Sequence, residues 1–252
     1  MKRLLFHAAL LLPALLLVAA ATAHAQSPIP GINLEVGGAD SPEAVATSLQ
    51  IIVLLTILTL APAILVMTTS FTRIVIILAF IRQALGTQQS PPNQVLIGLA
   101  LFLTFFIMQP VWSDVNREAL QPYLNKELSQ EQALERASAP LKQFMQTFIR
   151  EKDLALFVQI ADIPRPRNIQ DVPFHVVVPA FVISELKTAF QVGFLIYVPF
   201  LVVDLVVSSV LMAMGMMMLP PIMISLPLKL MLFVLVDGWN LIVGSIVESY
   251  FQ

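Results

Sequence analysis

The chain has 252 residues, of which 58% are hydrophobic and 12% charged, and its formal net charge is -2. This composition excludes an ordinary soluble enzyme and offers no basic footprint for nucleic acid. It contains no cysteine, so disulfides and thiolate chemistry are excluded as well.

Lys2 and Arg3 precede an apolar run from Leu4 to Ala21, and Ala23-His24-Ala25 supplies a small-x-small cleavage pattern before Gln26. The pattern predicts a cleaved signal peptide over residues 1–25; a retained first span is the alternative, disfavoured by the short run and by Pro13. Residues 26–43, with Pro28, Pro30, Gly31, Gly37 and Gly38, read as a periplasmic N-terminal segment. Ser41-Pro42-Glu43 resembles a helix start, with a capping serine, proline at the first helical position and an acid in the first turn.

No charged residue lies between Ala44 and Thr72. Leu49 to Met67 alone would extend roughly 28 Å as a helix, about the thickness of a hydrocarbon layer, with a kink expected at Pro62. Arg73 and Arg82 follow, and Gly86 to Pro92 predicts a helix stop, a turn and a fresh start near Asn93. A second charge-free run extends from Gln83 to Ser113, so 44–111 reads as a first helical hairpin. The arginines beside its short connection favour the cytoplasmic side for that turn.

Trp112 to Val172 carries 17 of the chain's 30 formal charges, nine acidic and eight basic. It reads as a water-exposed, periplasmic domain of two or three short amphipathic helices over 112–172. Ser129-Gln130-Glu131-Gln132 fits a capping box, and Leu141, Phe144, Met145, Phe148 and Ile149 recur at helical spacing, as a small core would require. Ile163-Pro164-Arg165-Pro166-Arg167 reads as a rigid return loop.

Residues 173–252 return to apolar character and read as a second hairpin. Phe174 to Leu211 would overspan one bilayer, and Pro179 and Pro199 interrupt it, so a broken helix or a hairpin is expected there. Met212 to Pro221 then places five methionines, Met212, Met214, Met216, Met217 and Met218, in seven positions, with Gly215 inside the cluster and Pro220-Pro221 closing it. A thioether on three rotatable bonds is apolar and adaptable, suited to a contact that closes tightly and re-forms around another shape. Packing against lipid or core is the plainer reading. Gly215 and the proline pair argue for a break in the helix, and irregular backbone at membrane depth is tolerated only beside protein or a cavity. Ile222 to Val236 is the last apolar run; Asp237-Gly238-Trp239-Asn240 opens a tail in which Trp239 and Tyr250 could mark an interface.

Glu185, Lys187, Asp204 and Lys229 lie within apolar stretches, where each needs a partner or water. They could form an ion path, or inter-helix or inter-subunit ion pairs together with Arg73. Two acids and two bases can cancel, so the structural reading is preferred. Glu185 and Lys187 stand about 200° apart on a helix and should engage different neighbours; Asp204 with Lys229 is a candidate pair across the methionine loop. There is no phosphate-binding loop and no nucleophile elbow, and His175 is the one histidine beyond the signal peptide. Neither a metal site nor a cofactor is expected.

Three blocks carry a resemblance. Ser70-Phe71-Thr72-Arg73-Ile74-Val75 is the first. Ala84-Leu85-Gly86-Thr87-Gln88-Gln89 with Pro91-Pro92-Asn93-Gln94 is the second. Ser184-Glu185-Leu186-Lys187-Thr188-Ala189-Phe190 continues to Gly215-Met216-Met217-Met218-Leu219-Pro220-Pro221 as the third. With Asp237-Gly238-Trp239-Asn240, they resemble the FliP/SctR family of type III secretion export-gate proteins over essentially the whole chain after residue 25. The Gly-Thr-Gln-Gln version of the second block and the signal peptide favour the flagellar branch. The resemblance implies an all-α membrane-associated fold, helical hairpins with a small helical periplasmic domain, assembling into a homo-oligomeric ring of five copies. It implies FliQ and FliR as partners in a helical core complex and FlhB and FlhA as neighbours. The assembly would sit at the bacterial inner membrane in the flagellar basal body, largely above the bilayer plane, with unfolded flagellar export substrates threading its centre. Met216, Met217 and Met218 would form the narrowing ring of a non-enzymatic pore, supported by Met212, Met214, Gly215, Pro220 and Pro221. An ion-coupled secondary transporter and a non-conducting basal-body assembly scaffold are the competing readings.

Overall fold

The computed structural model describes residues 42–251 apart from Arg165, Arg167 and Met217. The expected signal peptide, the N-terminal segment up to Ser41, and the arginines of the return loop therefore lie outside the described residues. The described residues form helices joined by turns, with no strand among them. The chain divides into two units after residue 57, within the first helix.

Helix α1 (Pro42–Thr68) begins at Pro42 and continues past Pro62. Its end is written in hydroxyl groups. Thr68 and Thr69 donate to the Ile64 and Leu65 carbonyls at 2.9 and 2.6 Å, and Thr72 donates to the Val66 carbonyl at 2.7 Å. Thr68 and Thr69 bond back one turn and Thr72 reaches a carbonyl of the last turn, so three hydroxyls find acceptors within the chain's own backbone where it turns in an apolar environment. Helix α2 (Phe71–Ala84) follows at once, so the hairpin expected over 44–111 contains a third helix. Gly86, at φ 77°, closes α2 as expected, and α3 (Asn93–Ile107) starts at the predicted residue.

The polar segment holds α4 (Gln109–Val115), a π-turn (Asn116–Leu120), α5 (Gln121–Leu124), α6 (Gln130–Phe148) and α7 (Glu151–Ile160). The Ser129 capping box forms as read from the sequence, with the Gln132 amide donating to Ser129 Oγ and the Ser129 amide to Gln132 Oε1. Met145 of α6, Val158 of α7 and Val172 are buried with Val176, Val177 and Phe181. The apolar stripe of the polar segment therefore packs on the residues that follow it, and its core is shared with the next helix.

That helix, α8 (Phe174–Ala213), is continuous for 40 residues through Pro179 and Pro199. The expectation of a break or hairpin between 174 and 211 is overturned. A proline forfeits one hydrogen bond and bends a helix, whereas a break would strand several backbone groups among apolar side chains at a cost of several kcal/mol each. Helix α9 (Ile222–Leu235) returns, and the residues read as a tail form α10 (Gly238–Phe251), bent 62° from α9 at Asp237.

The main core is built on α2. Ile74, Ile77, Leu78 and Ile81 are essentially inaccessible and meet Leu96, Ala100 and Leu103 of α3, Ala189 and Phe200 of α8, Phe233 of α9, and Ile246 and Tyr250 of α10. The pairing of α2 with α8 is the most extensive in the fold. It is parallel: Arg73 meets Glu185, and Phe80 meets Phe190 and Gly193. Among the described residues, Ser48–Thr68 and Phe174–Ala213 are long and apolar enough to cross a membrane. Two bent pairs, α3 with α4 and α5, and α9 with α10, raise that to four if each pair is one span.

Candidate functional site, a methionine loop and the ion pairs around it

The loop between α8 and α9 is set by the way α8 ends. The Gly215 amide donates to the Met212 carbonyl and the Met216 amide reaches back to the Leu211 carbonyl, both at 3.0 Å. This paired closure requires a left-handed residue, and Gly215 supplies it at φ 74°. A Cβ there would meet nothing within 4 Å, so glycine is demanded by the dihedral and not by space. A second turn follows, with the Leu219 amide on the Met216 carbonyl at 3.3 Å. Pro220 and Pro221 lack amide donors, and their carbonyls accept the first bonds of α9, from Met223, Ile224 and Ser225.

The described methionines of this loop face outward. Met218 is 98% exposed, Met214 67%, Met212 59% and Met216 41%. Met217 lies outside the described residues. By contrast, Met108 and Met145 are completely buried, so this chain also uses methionine as ordinary packing elsewhere. The loop is thus a cluster of thioethers that the subunit's own core leaves uncovered.

Arg73, Glu185, Lys187, Asp204 and Lys229 fall into three separate nodes. Lys229 of α9 donates to Asp204 of α8 at 2.6 Å, spanning the hairpin behind the loop; Lys229 is buried and Asp204 is half-buried. The second node holds Arg73 and Glu185 in a two-pronged ion pair, with Arg73 Nε donating to Glu185 Oε2 at 2.9 Å and Nη2 donating to Oε1. Tyr250 Oη donates to the same carboxylate at 2.6 Å, while Arg73 Nη1 donates to Ser249 Oγ at 3.2 Å. The guanidinium also lies 4.1 Å from the Tyr250 ring centroid and 5.4 Å from that of Phe148. A buried charge is tolerable when its partner is bidentate and its remaining positions are filled, and here α2, α8, α10 and α6 all contribute.

Lys187 enters the third node, on a different face of α8 from Glu185. It donates to Asp153 of α7, whose other oxygen accepts from Ser184 Oγ at 2.9 Å. The Arg150 amide donates to Ser184 Oγ at 3.0 Å, and its guanidinium reaches Thr188 Oγ1 and Gln191 Oε1. Burial pushes the Asp153 carboxyl upward. The hydrogen bonds from Lys187 and Ser184 and the charges of Lys187 and Arg150 together outweigh it and hold the group below the usual carboxylate range.

Sequence reading missed Asp153 and Arg150, which look like solvated charges in the stretch Arg150-Glu151-Lys152-Asp153. It also offered Tyr250 as one of two residues that could mark an interface, whereas the residue is 8% exposed and its hydroxyl serves Glu185. A hydroxyl-bearing aromatic at the end of an apolar run was the available signal, because a buried phenol must find an acceptor. Among the described residues, no group of three histidine, aspartate or glutamate side chains could hold a metal ion, and His175 is exposed. The arrangement offers a soft apolar surface on a braced hairpin.

Comparison with known proteins gives a consistent result. The chain is 55% identical over 217 residues to the flagellar biosynthetic protein FliP of Bacillus subtilis (strain 168), covering 86% of this chain and 98% of that relative. It is 58% identical over 205 residues to the protein of that name from Pectobacterium carotovorum subsp. carotovorum, covering 81% and 80%. The one from Caulobacter vibrioides (strain ATCC 19089 / CIP 103742 / CB 15) is 54% identical over 231 residues, covering 91% and 85%. Residues 54–246, which include α2, α8, the methionine loop and the ionic nodes apart from Ser249 and Tyr250, match the profile of the FliP family, and the chain belongs to that family.

Proposed function

We propose that this chain is the pore-forming subunit of the flagellar type III protein export gate, passing unfolded flagellar subunits across the inner membrane during flagellum assembly. As a FliP family member it is a component of the flagellar export apparatus. The observation that carries the finer reading is the exposed methionine loop, in which Met212, Met214, Met216 and Met218 present their side chains away from the subunit's core. In a ring of five copies, with FliQ and FliR alongside and FlhB and FlhA adjoining, Met216, Met217 and Met218 would converge on the axis. An apolar constriction excludes hydrated ions by dewetting, and flexible thioethers yield to a threading chain of any sequence. The polar segment 112–172 would stand on the periplasmic side, and Arg73, Glu185, Lys187, Asp204 and Lys229 would hold helices and subunits in place. The protein acts as a conduit in this reading and performs no chemistry.

Replacing Met216, Met217 and Met218 by alanine tests it. The expected outcome is a complex that still assembles but leaks ions or small solutes at least about tenfold faster, measured by conductance or dye flux. A variant complex that assembles and stays tight removes the gate assignment.

A further inference from the structure

We infer that the turn between α2 and α3, residues 86–92, is a positioning element for the methionine loop, holding the first turn of α9 where the loop ends. A Cβ on Gly86 would lie 4.0 Å from Ile222 Cδ1 and 4.0 Å from Leu226 Cδ1, so these two side chains lie over the turn with about the room of a methyl group between them and its backbone. Ile222 and Leu226 are four residues apart and share one face of α9. The loop therefore has two feet. One is the Gly215 closure, made entirely by α8 and the residues after it. The other, the start of α9, leans on a different part of the fold.

The support is itself braced. Arg82 Nη1 donates to the Pro91 carbonyl at 3.3 Å and to Asn93 Oδ1, tying the two ends of the turn together. Thr87 Oγ1 donates to the Arg82 carbonyl at 3.3 Å, and the Gly86 amide donates to the Gln83 carbonyl at 3.0 Å. Ile81, Ala84, Leu85 and Leu96, on either side, are buried in the main core. The ion pair of Lys229 with Asp204 lies about 10 Å further along the helix from Ile222. The turn stands nearer to the loop than that ion pair does. This gives the Gly86-Thr87-Gln88-Gln89 block a task that its place in the sequence does not suggest.

Placement of α9 is independent of the gate reading; the consequence for leak rests on it. The experiment uses the full chain purified in its export complex, comparing wild type, Arg82→Ala, Arg82→Lys, Gly86→Val and the triple methionine-to-alanine variant. Hydrogen exchange reads the inference directly. In Arg82→Ala and Gly86→Val, amides of residues 219–226 are expected to exchange at least about fivefold faster while those of 176–189 keep the wild-type rate. Arg82→Lys, which can still donate to both acceptors, restores protection. Solute leak rises in the same two variants. Unchanged exchange at 219–226, or a rise shared equally by 176–189, overturns the inference whatever the leak. If Arg82→Ala fails to enter the complex, Gly86→Val carries the same comparison. A tight triple methionine variant beside raised exchange at 219–226 removes the gate reading and leaves the support of α9 standing.

Discussion

Glu185 is wholly inaccessible, yet its carboxylate accepts from Arg73 at both oxygens and from Tyr250. Two opposing effects decide its worth: transfer from water costs several kcal/mol per ion, and the bidentate pairing with its extra donor recovers most of that. The asymmetry gives a test. Arg73→Leu leaves a buried carboxylate with one neutral donor and is expected to cost about 3–5 kcal/mol in denaturant unfolding of the detergent-solubilised protein. The triple replacement Arg73→Met, Glu185→Leu and Tyr250→Phe removes every polar group that would be orphaned and should lose much less. A triple variant weaker than Arg73→Leu would show that the node contributes more than mutual neutralisation. Charge in apolar sequence announced that Glu185 and Lys187 would need partners, and helical angle separated them correctly. Their partners were unreadable because Arg73, Asp153 and Tyr250 are 112, 34 and 65 residues distant from them in sequence.

At the scale of elements, the parallel contact of α2 with α8 depends on Gly193. A Cβ there would fall 2.5 Å from Phe80 Cδ2 and 2.6 Å from Cγ, too near for any packed pair. The ring fills the glycine's place and stacks edge-on with Phe190 at 5.4 Å between centroids. Gly193→Ala should therefore force the helices apart and cost about 1–3 kcal/mol. Adding Phe80→Ala to it should cost less than the two single effects summed, a coupling read by a double-mutant cycle. Helix type and several ends were legible: Pro42, Gly86, Asn93 and Ser129 mark boundaries by capping or turn chemistry that acts locally. The break between α1 and α2 was missed because hydropathy is blind to hydroxyl groups; Thr68, Thr69 and Thr72 were the signal. The continuity of α8 was misread because proline was weighed without the surrounding apolar environment. The helix break at Gly215 was legible from Gly and Pro placement, whereas the approach of Gly86 to α9 was not, since only the fold brings residue 86 to residues 222 and 226.

At the scale of the whole molecule, the second unit buries a core around α2 and still leaves much apolar surface outside it. Phe102, Phe105, Phe194, Leu195, Leu205, Val234 and Leu235 are each more than half exposed. Apolar exposure of this extent on α3, α8 and α9 suits lipid or partner protein better than water. The chain expressed alone is expected to elute as aggregate without detergent and as defined complexes when made with its export-apparatus partners, a difference size-exclusion chromatography reads directly. A monodisperse detergent-free monomer would contradict it. Helix α8 would extend about 60 Å, twice the hydrocarbon thickness, so part of it must stand clear of any bilayer it crosses.

That length gives α8 a mechanical character. Near one end, Ser184 and Lys187 are gripped by Asp153, and Arg150 holds Thr188 and Gln191; at the other end the rod stops one residue before Met214 and Gly215. Pro199 lies between those grips and the loop and forfeits one helix bond, so any bending along this run concentrates there, between the polar segment and the thioethers.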